Sequence, residues 1–231
     1  MAAPRIALIH ATPVAIAPIV TAFQQMWPEA QPTNLLDDAL AHDLAAAGAL
    51  TDKMIDRFVT LARYAHDCGA DAVLFTCSAF GRAIEAARKA VPVPVFKPNE
   101  AMFDEALAAG TRVGLIATFE PSIPALRQEL EELAALKQAK LQIVTRAVPA
   151  ALAALHAGQS AQHDKLIAAA AEGMTGCDAI ILGQFSMASA ARAIPQQPGR
   201  KVLTSPASAV ARLREALRTV PHSRELRRKK C

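Results

Sequence analysis

Ala70-Asp-Ala-Val-Leu-Phe-Thr-Cys77 is an apolar run that opens on an aspartate and closes on a threonine and a cysteine. A shift of 107 positions lays it on Cys177-Asp-Ala-Ile-Ile-Leu-Gly-Gln184, and the same shift lays Arg5-Ile-Ala-Leu-Ile9 on Arg112-Val-Gly-Leu-Ile116 and Val95-Phe96 on Val202-Leu203. Single apolar runs resemble one another by chance. Several in one register and one order indicate two copies of one unit.

Working outward, short Val-, Ile- and Leu-rich runs predict strands at 5–9, 33–36, 72–76, 93–96, 112–117, 141–144, 179–182 and 201–204. Helix-period segments fall between most of them, at 14–27, 52–68, 99–109, 122–138, 161–174 and 206–218, with a further helix beginning near Phe80 or Gly81. Strand and helix in alternation predict an α/β fold of two pseudo-symmetric lobes, each a four-stranded parallel sheet flanked by helices. Residues 1–98 with 206–222 are expected to form one lobe, 99–205 the other, and 223–231 a basic tail. Ligand loops then lie at the carboxyl ends of the strands, with the loops after 72–76 and 179–182 facing each other between the lobes.

A chain of 231 residues that is 52% hydrophobic can bury a sizeable core and is not disordered. Its 52 alanines and ten aromatics suit helices packed closely on sheets. The net charge is +4 and the isoelectric point about 9.0. All of that charge resides in Ser223–Cys231, and the neutral remainder lacks the basic face that nucleic acid requires. The four cysteines, Cys68, Cys77, Cys177 and Cys231, have no CxxC spacing or clustered histidines, which argues against a zinc site or a disulfide framework and for reduced thiols. Met1-Ala-Ala-Pro-Arg5 lacks the apolar core of an export signal, and no apolar stretch is of membrane length, so a soluble cytoplasmic protein is expected. No GxGxxG, GxxxxGK[ST] or GxSxG element is present.

The chemistry-bearing residues sit at the predicted strand ends. Cys77 lies before a helix, where free N–H groups would lower its pKa, although a buried structural cysteine is the bland alternative. Thr76 and Ser78 add hydroxyls that can hold a carboxylate. Gln184, the positional counterpart of Cys77, is no base but can donate from its amide, and Ser186 adds a hydroxyl; both could equally be loop residues capping 186–193. His10, in the loop with Thr12, is a candidate acid or base at neutral pH or a hydrogen-bonded structural histidine. Thr118 and Ser122 can bind an anion or cap their helix.

Thr76-Cys77-Ser78, Leu182-Gly183-Gln184 and Thr118, set in two similar lobes covering nearly the whole chain, resemble the aspartate/glutamate/hydantoin racemase superfamily. The resemblance implies two α/β lobes enclosing a small carboxylate, with no metal or organic cofactor and a thiol from each lobe flanking the substrate carbon. Cys77 matches the first thiol, whereas Gln184 stands where the second is implied. The superfamily also includes arylmalonate decarboxylases, whose one thiol is on the other lobe, and maleate isomerases, which use a thiol as nucleophile. The expectation is a cofactor-independent racemase or isomerase acting on a small carboxylate, with Cys77, Gln184 and His10 catalytic and Thr76, Ser78, Thr118, Ser122, Ser186 and Thr12 binding substrate. A one-thiol decarboxylase, a maleate-isomerase-like enzyme and a catalytically impaired carboxylate-binding protein are the alternatives. A homodimer or higher homo-oligomer is compatible with this, and neither nucleic acid nor membrane is an expected partner.

Overall fold

The computed structural model describes residues 3–219. The expected basic tail and residues 220–222 of the expected first lobe lie outside the described residues. Strands β1 (Arg5–His10), β2 (Gln31–Leu36), β3 (Ala72–Phe75) and β4 (Val95–Phe96) form a parallel sheet in the order β2-β1-β3-β4. Strands β5 (Arg112–Ala117), β6 (Gln142–Ala147), β7 (Ala179–Leu182) and β8 (Lys201–Thr204) repeat it as β6-β5-β7-β8. The duplication extends to the register. Ile6 pairs with Ala72 and Ile9 with Phe75, while Val113 pairs with Ala179 and Ile116 with Leu182. It extends also to a side-chain clip, in which Asp71 accepts the Arg5 backbone N–H at 2.8 Å and Asp178 accepts those of Thr111 and Arg112 at 2.8 Å each.

Nine helices are described: α1 (Ile16–Met26), α2 (Ala39–Ala47), α3 (Asp52–Asp67), α4 (Gly81–Ala90), α5 (Glu100–Ala109), α6 (Ile123–Leu136), α7 (Pro149–His156), α8 (Ser160–Glu172) and α9 (Ser205–Thr219). Local chemistry fixes several ends. The Thr51 hydroxyl accepts the Met54 N–H at the start of α3, and Gly69 supplies the left-handed turn after it, at φ 84°.

Some boundaries depart from the sequence expectation for physical reasons. The strand expected at 93–96 shortens to two residues because Pro92 and Pro94 carry no backbone N–H. β2 and β6 run longer than their apolar cores, since pairing with β1 and β5 fixes their length. The helices α2 and α7 escape the sequence pattern because they are short and alanine-rich, with little apolar periodicity. Residues Phe185–Arg192 wind as a 3-10 segment where a helix was expected.

Period-two alternation splits each sheet between two cores. Ala7 and Ile9 face Phe58 of α3 and Ile84 of α4, whereas Ile6 and Leu8 face Ile19 and Phe23 of α1. The second face of the first sheet also receives Val210 and Leu213 of α9, although α9 follows β8 of the other sheet. Reciprocally, Met102, Phe103 and Ala106 of α5, which follows β4, pack on Val113, Leu115 and Ile181. Each sheet is therefore closed by a helix that leaves the other one. Where these two crossings begin, the buried Ser205 hydroxyl donates to Asn99 Oδ1 at 2.7 Å. Among the described residues no helix is long and apolar enough to cross a membrane.

Candidate functional site

The loops after β1, β3, β5 and β7 bring the sequence-predicted residues to the carboxyl ends of the two sheets, where they form two hydrogen-bonded groups. In the first, His10 closes β1 and is fully buried. Its Nε2 lies 3.0 Å from Asn34 Oδ1 and its Nδ1 2.9 Å from Thr76 Oγ1. A carbonyl oxygen can only accept, so the neutral imidazole carries its proton on Nε2 and receives the Thr76 hydroxyl on Nδ1. Burial pushes the imidazole below its usual pKa, and the Asn34 contact opposes this in part. Of the two readings the sequence allowed, the contacts of His10 fit the hydrogen-bonded structural histidine, neutral and doubly bonded. Asn34 was missed in the sequence; a lone amide in a predicted strand was the only signal for it.

Cys77 follows Thr76 and leads into a 3-10 turn over Ser78–Phe80 ahead of α4. The sequence suggested a thiol of lowered pKa here. Instead burial pushes the Cys77 thiol up, with only the Ala79 N–H working against it. The cause is local. The turn supplies one N–H in place of a full helix terminus, and the side chain packs against the core containing Ala11, Phe75 and Phe80. Ser78 is exposed and Thr12 is half-buried ahead of the turn Pro13–Ala15.

The second group centres on Gln184. Its Oε1 accepts the Thr118 backbone N–H at 2.9 Å and the Thr118 hydroxyl at 3.3 Å, and its Nε2 donates to Ser122 Oγ at 2.8 Å. The Ser122 hydroxyl in turn donates to the Phe119 carbonyl at 2.7 Å. Of the hydroxyls expected to hold a carboxylate, Thr76, Thr118 and Ser122 therefore already have protein partners. Ser186 does not join this group; it lines a cavity of about 400 Å³ with Thr21, Gln25, Arg192 and Thr204.

The next residue after Gln184 ties the second group to the first sheet. Phe185 is buried in the core of the first sheet, in one cluster with Ile6, Leu8, Ala15 and Leu74. Ala11 shares a core with Cys77 and Ala15 shares one with Phe185, so the short loop after β1 separates the two groups. Among the described residues no three His, Cys, Asp or Glu side chains gather as a metal site.

A family model described as Asp/Glu/Hydantoin racemase matches residues 10–213. No curated protein sequence matches the chain with significance. Among the solved structures that share the fold are two racemase-type proteins and a decarboxylase. An aspartate racemase homologue from Pyrococcus horikoshii OT3 is 16% identical, with a TM-score of 0.68 over 94% of this chain and 99% of that one. A glutamate racemase isoform from Bacillus anthracis is 15% identical, with a TM-score of 0.66 over 94% and 83%. Unliganded arylmalonate decarboxylase is 18% identical, with a TM-score of 0.62 over 93% and 92%.

Proposed function

The chain belongs to the Asp/Glu/hydantoin racemase family, and on that premise we propose that it is a cofactor-independent, racemase-type isomerase of the cytoplasm that moves a proton at the carbon beside the carboxylate of a small acid, with Cys77 carrying the proton. The observation that supports this is the placement of a partly exposed thiol at the carboxyl end of the central strand β3, where parallel sheets hold their ligands. A proton beside a carboxylate is weakly acidic, so hydrogen-bond donors that stabilise the developing enolate supply the largest share of catalysis.

A second reading, one-thiol decarboxylation, is favoured by two features of the site. Burial keeps the resting Cys77 thiol protonated, and Gln184 cannot carry a proton. After loss of CO2 only one acid is needed, to protonate the carbanion.

Incubating both enantiomers of glutamate and of aspartate, and phenylmalonate, in D2O separates these readings. Deuterium entering the carbon beside the carboxylate without carbon loss identifies the isomerase, and release of CO2 identifies the lyase. In either case Cys77→Ala is expected to lower turnover at least about a hundredfold, the usual worth of a positioned acid or base. A loss of only a few-fold would remove Cys77 from the mechanism. Tight binding without exchange or CO2 release would mark a carboxylate-binding protein.

A further inference from the structure

The internal duplication pairs more than strands. Under the shift of 107 positions that maps Cys77 on Gln184, Ala11 maps on Thr118 and Ala15 on Ser122. Thr118 and Ser122 are the residues that hold the Gln184 amide. In the other half the equivalent positions are buried methyl groups, 3% and 4% exposed, one of them in the core against which Cys77 packs. One half thus surrounds its strand-end side chain with apolar groups and leaves a thiol unbonded by that loop. The other surrounds the equivalent side chain with hydroxyls and fixes it.

An amide can make four hydrogen bonds, two as acceptor and two as donor. In Gln184 both acceptor positions are used by Thr118 and one donor by Ser122, which leaves one N–H. Phe185 then anchors this unit against the half that carries Cys77. We propose that Gln184, Thr118 and Ser122 form a pre-locked unit that offers one amide N–H to the substrate carboxylate held against Cys77, with Gln184 as the contacting residue and Thr118 and Ser122 as positioning residues. The unit differs from the sequence expectation, in which Thr118 and Ser122 themselves held the anion. Locking matters because a donor held in place loses no rotamer freedom when the anion arrives. The proposal rests on the assignment of Cys77 and a small carboxylate to this site.

Iodoacetate and iodoacetamide test it without a known substrate. Both alkylate a thiolate by displacing iodide, so the Cys77 pKa cancels from the ratio of their rates, and the ratio reads how the site receives a carboxylate. Peptide-resolved mass spectrometry separates Cys77 from Cys68, Cys177 and Cys231. Relative to free cysteine, the wild type is expected to favour iodoacetate about tenfold, corresponding to ~1.4 kcal/mol. Gln184→Met should abolish the preference, and Gln184→Glu, which keeps the acceptors for Thr118 but puts a charge in place of the donor, should reverse it. Thr118→Val, which retains Gln184 but removes one lock, should reduce it about threefold, a loss corresponding to roughly 0.6 kcal/mol. A wild type with no preference, or a folded Gln184→Met or Gln184→Glu protein with the wild-type ratio, overturns the proposal. A Gln184-dependent ratio without turnover of the acids above would retain the donor and reject the proposed reaction. Turnover with a Gln184-independent ratio would do the reverse.

Discussion

At the residue scale, two titratable groups at the carboxyl ends of the strands are shifted by burial. His10 is held neutral between Thr76 and Asn34, and Cys77 is pushed up by the core it packs against. The direction of the Cys77 shift fixes a pH dependence. A raised pKa lowers the thiolate fraction at neutral pH, so alkylation of Cys77 should be slower than that of free cysteine at pH 7.5. It should rise with a midpoint above about 8.5, the value of an unperturbed thiol. Following iodoacetamide labelling of the Cys77 peptide from pH 6 to 10 measures this, and a midpoint below 8 would contradict the burial argument. The strand-end position of Cys77 was legible because thiol, strand end and turn are adjacent in the chain. Its pKa was not, because Ala11 and Phe58, which come from other elements, join its core only through folding.

At the element scale, each sheet is clipped at its amino end by an aspartate at the start of its third strand, Asp71 or Asp178, that accepts backbone N–H groups at the start of the first. Asp178 holds two such groups on one oxygen. Asp178→Ala should therefore cost about 1 kcal/mol, since the partly buried Arg112 N–H loses a charged acceptor while the exposed Thr111 N–H can turn to water. A urea titration checks this, with a shift in midpoint and an unchanged slope expected; an unshifted midpoint would show that water replaces the carboxylate at no cost. Both aspartates lie inside the repeated sequence, so the clip could be anticipated as a pair, although its partners could not. The 3-10 winding of Phe185–Arg192 is the opposite case. No local signal separates it from a helix, and its path is set by burying Phe185 and Met187 in different cores.

At the scale of the whole molecule, the halves are joined by exchange. α5 leaves the first sheet to close the second, α9 returns to close the first, and Phe185 inserts from the second half into the core of the first. Phe185→Ala removes a large buried side chain at this junction and should cost about 3–5 kcal/mol. Because Gln184 is its neighbour, the same change should also weaken the iodoacetate preference at Cys77 in protein that remains folded. Thermal unfolding and the labelling ratio report the two effects separately, and loss of stability with an unaltered ratio would show that Phe185 does not position Gln184. The sequence by itself determined the two-sheet α/β architecture, the duplication and the strand-end placement of Cys77 and Gln184. These depend on hydrophobic periodicity and on spacing along the chain, both of which are local. Only the tertiary structure decided between the two readings of His10 and showed that Thr118 and Ser122 hold Gln184. Each of these depends on which side chains meet across elements and on how much water their meeting excludes.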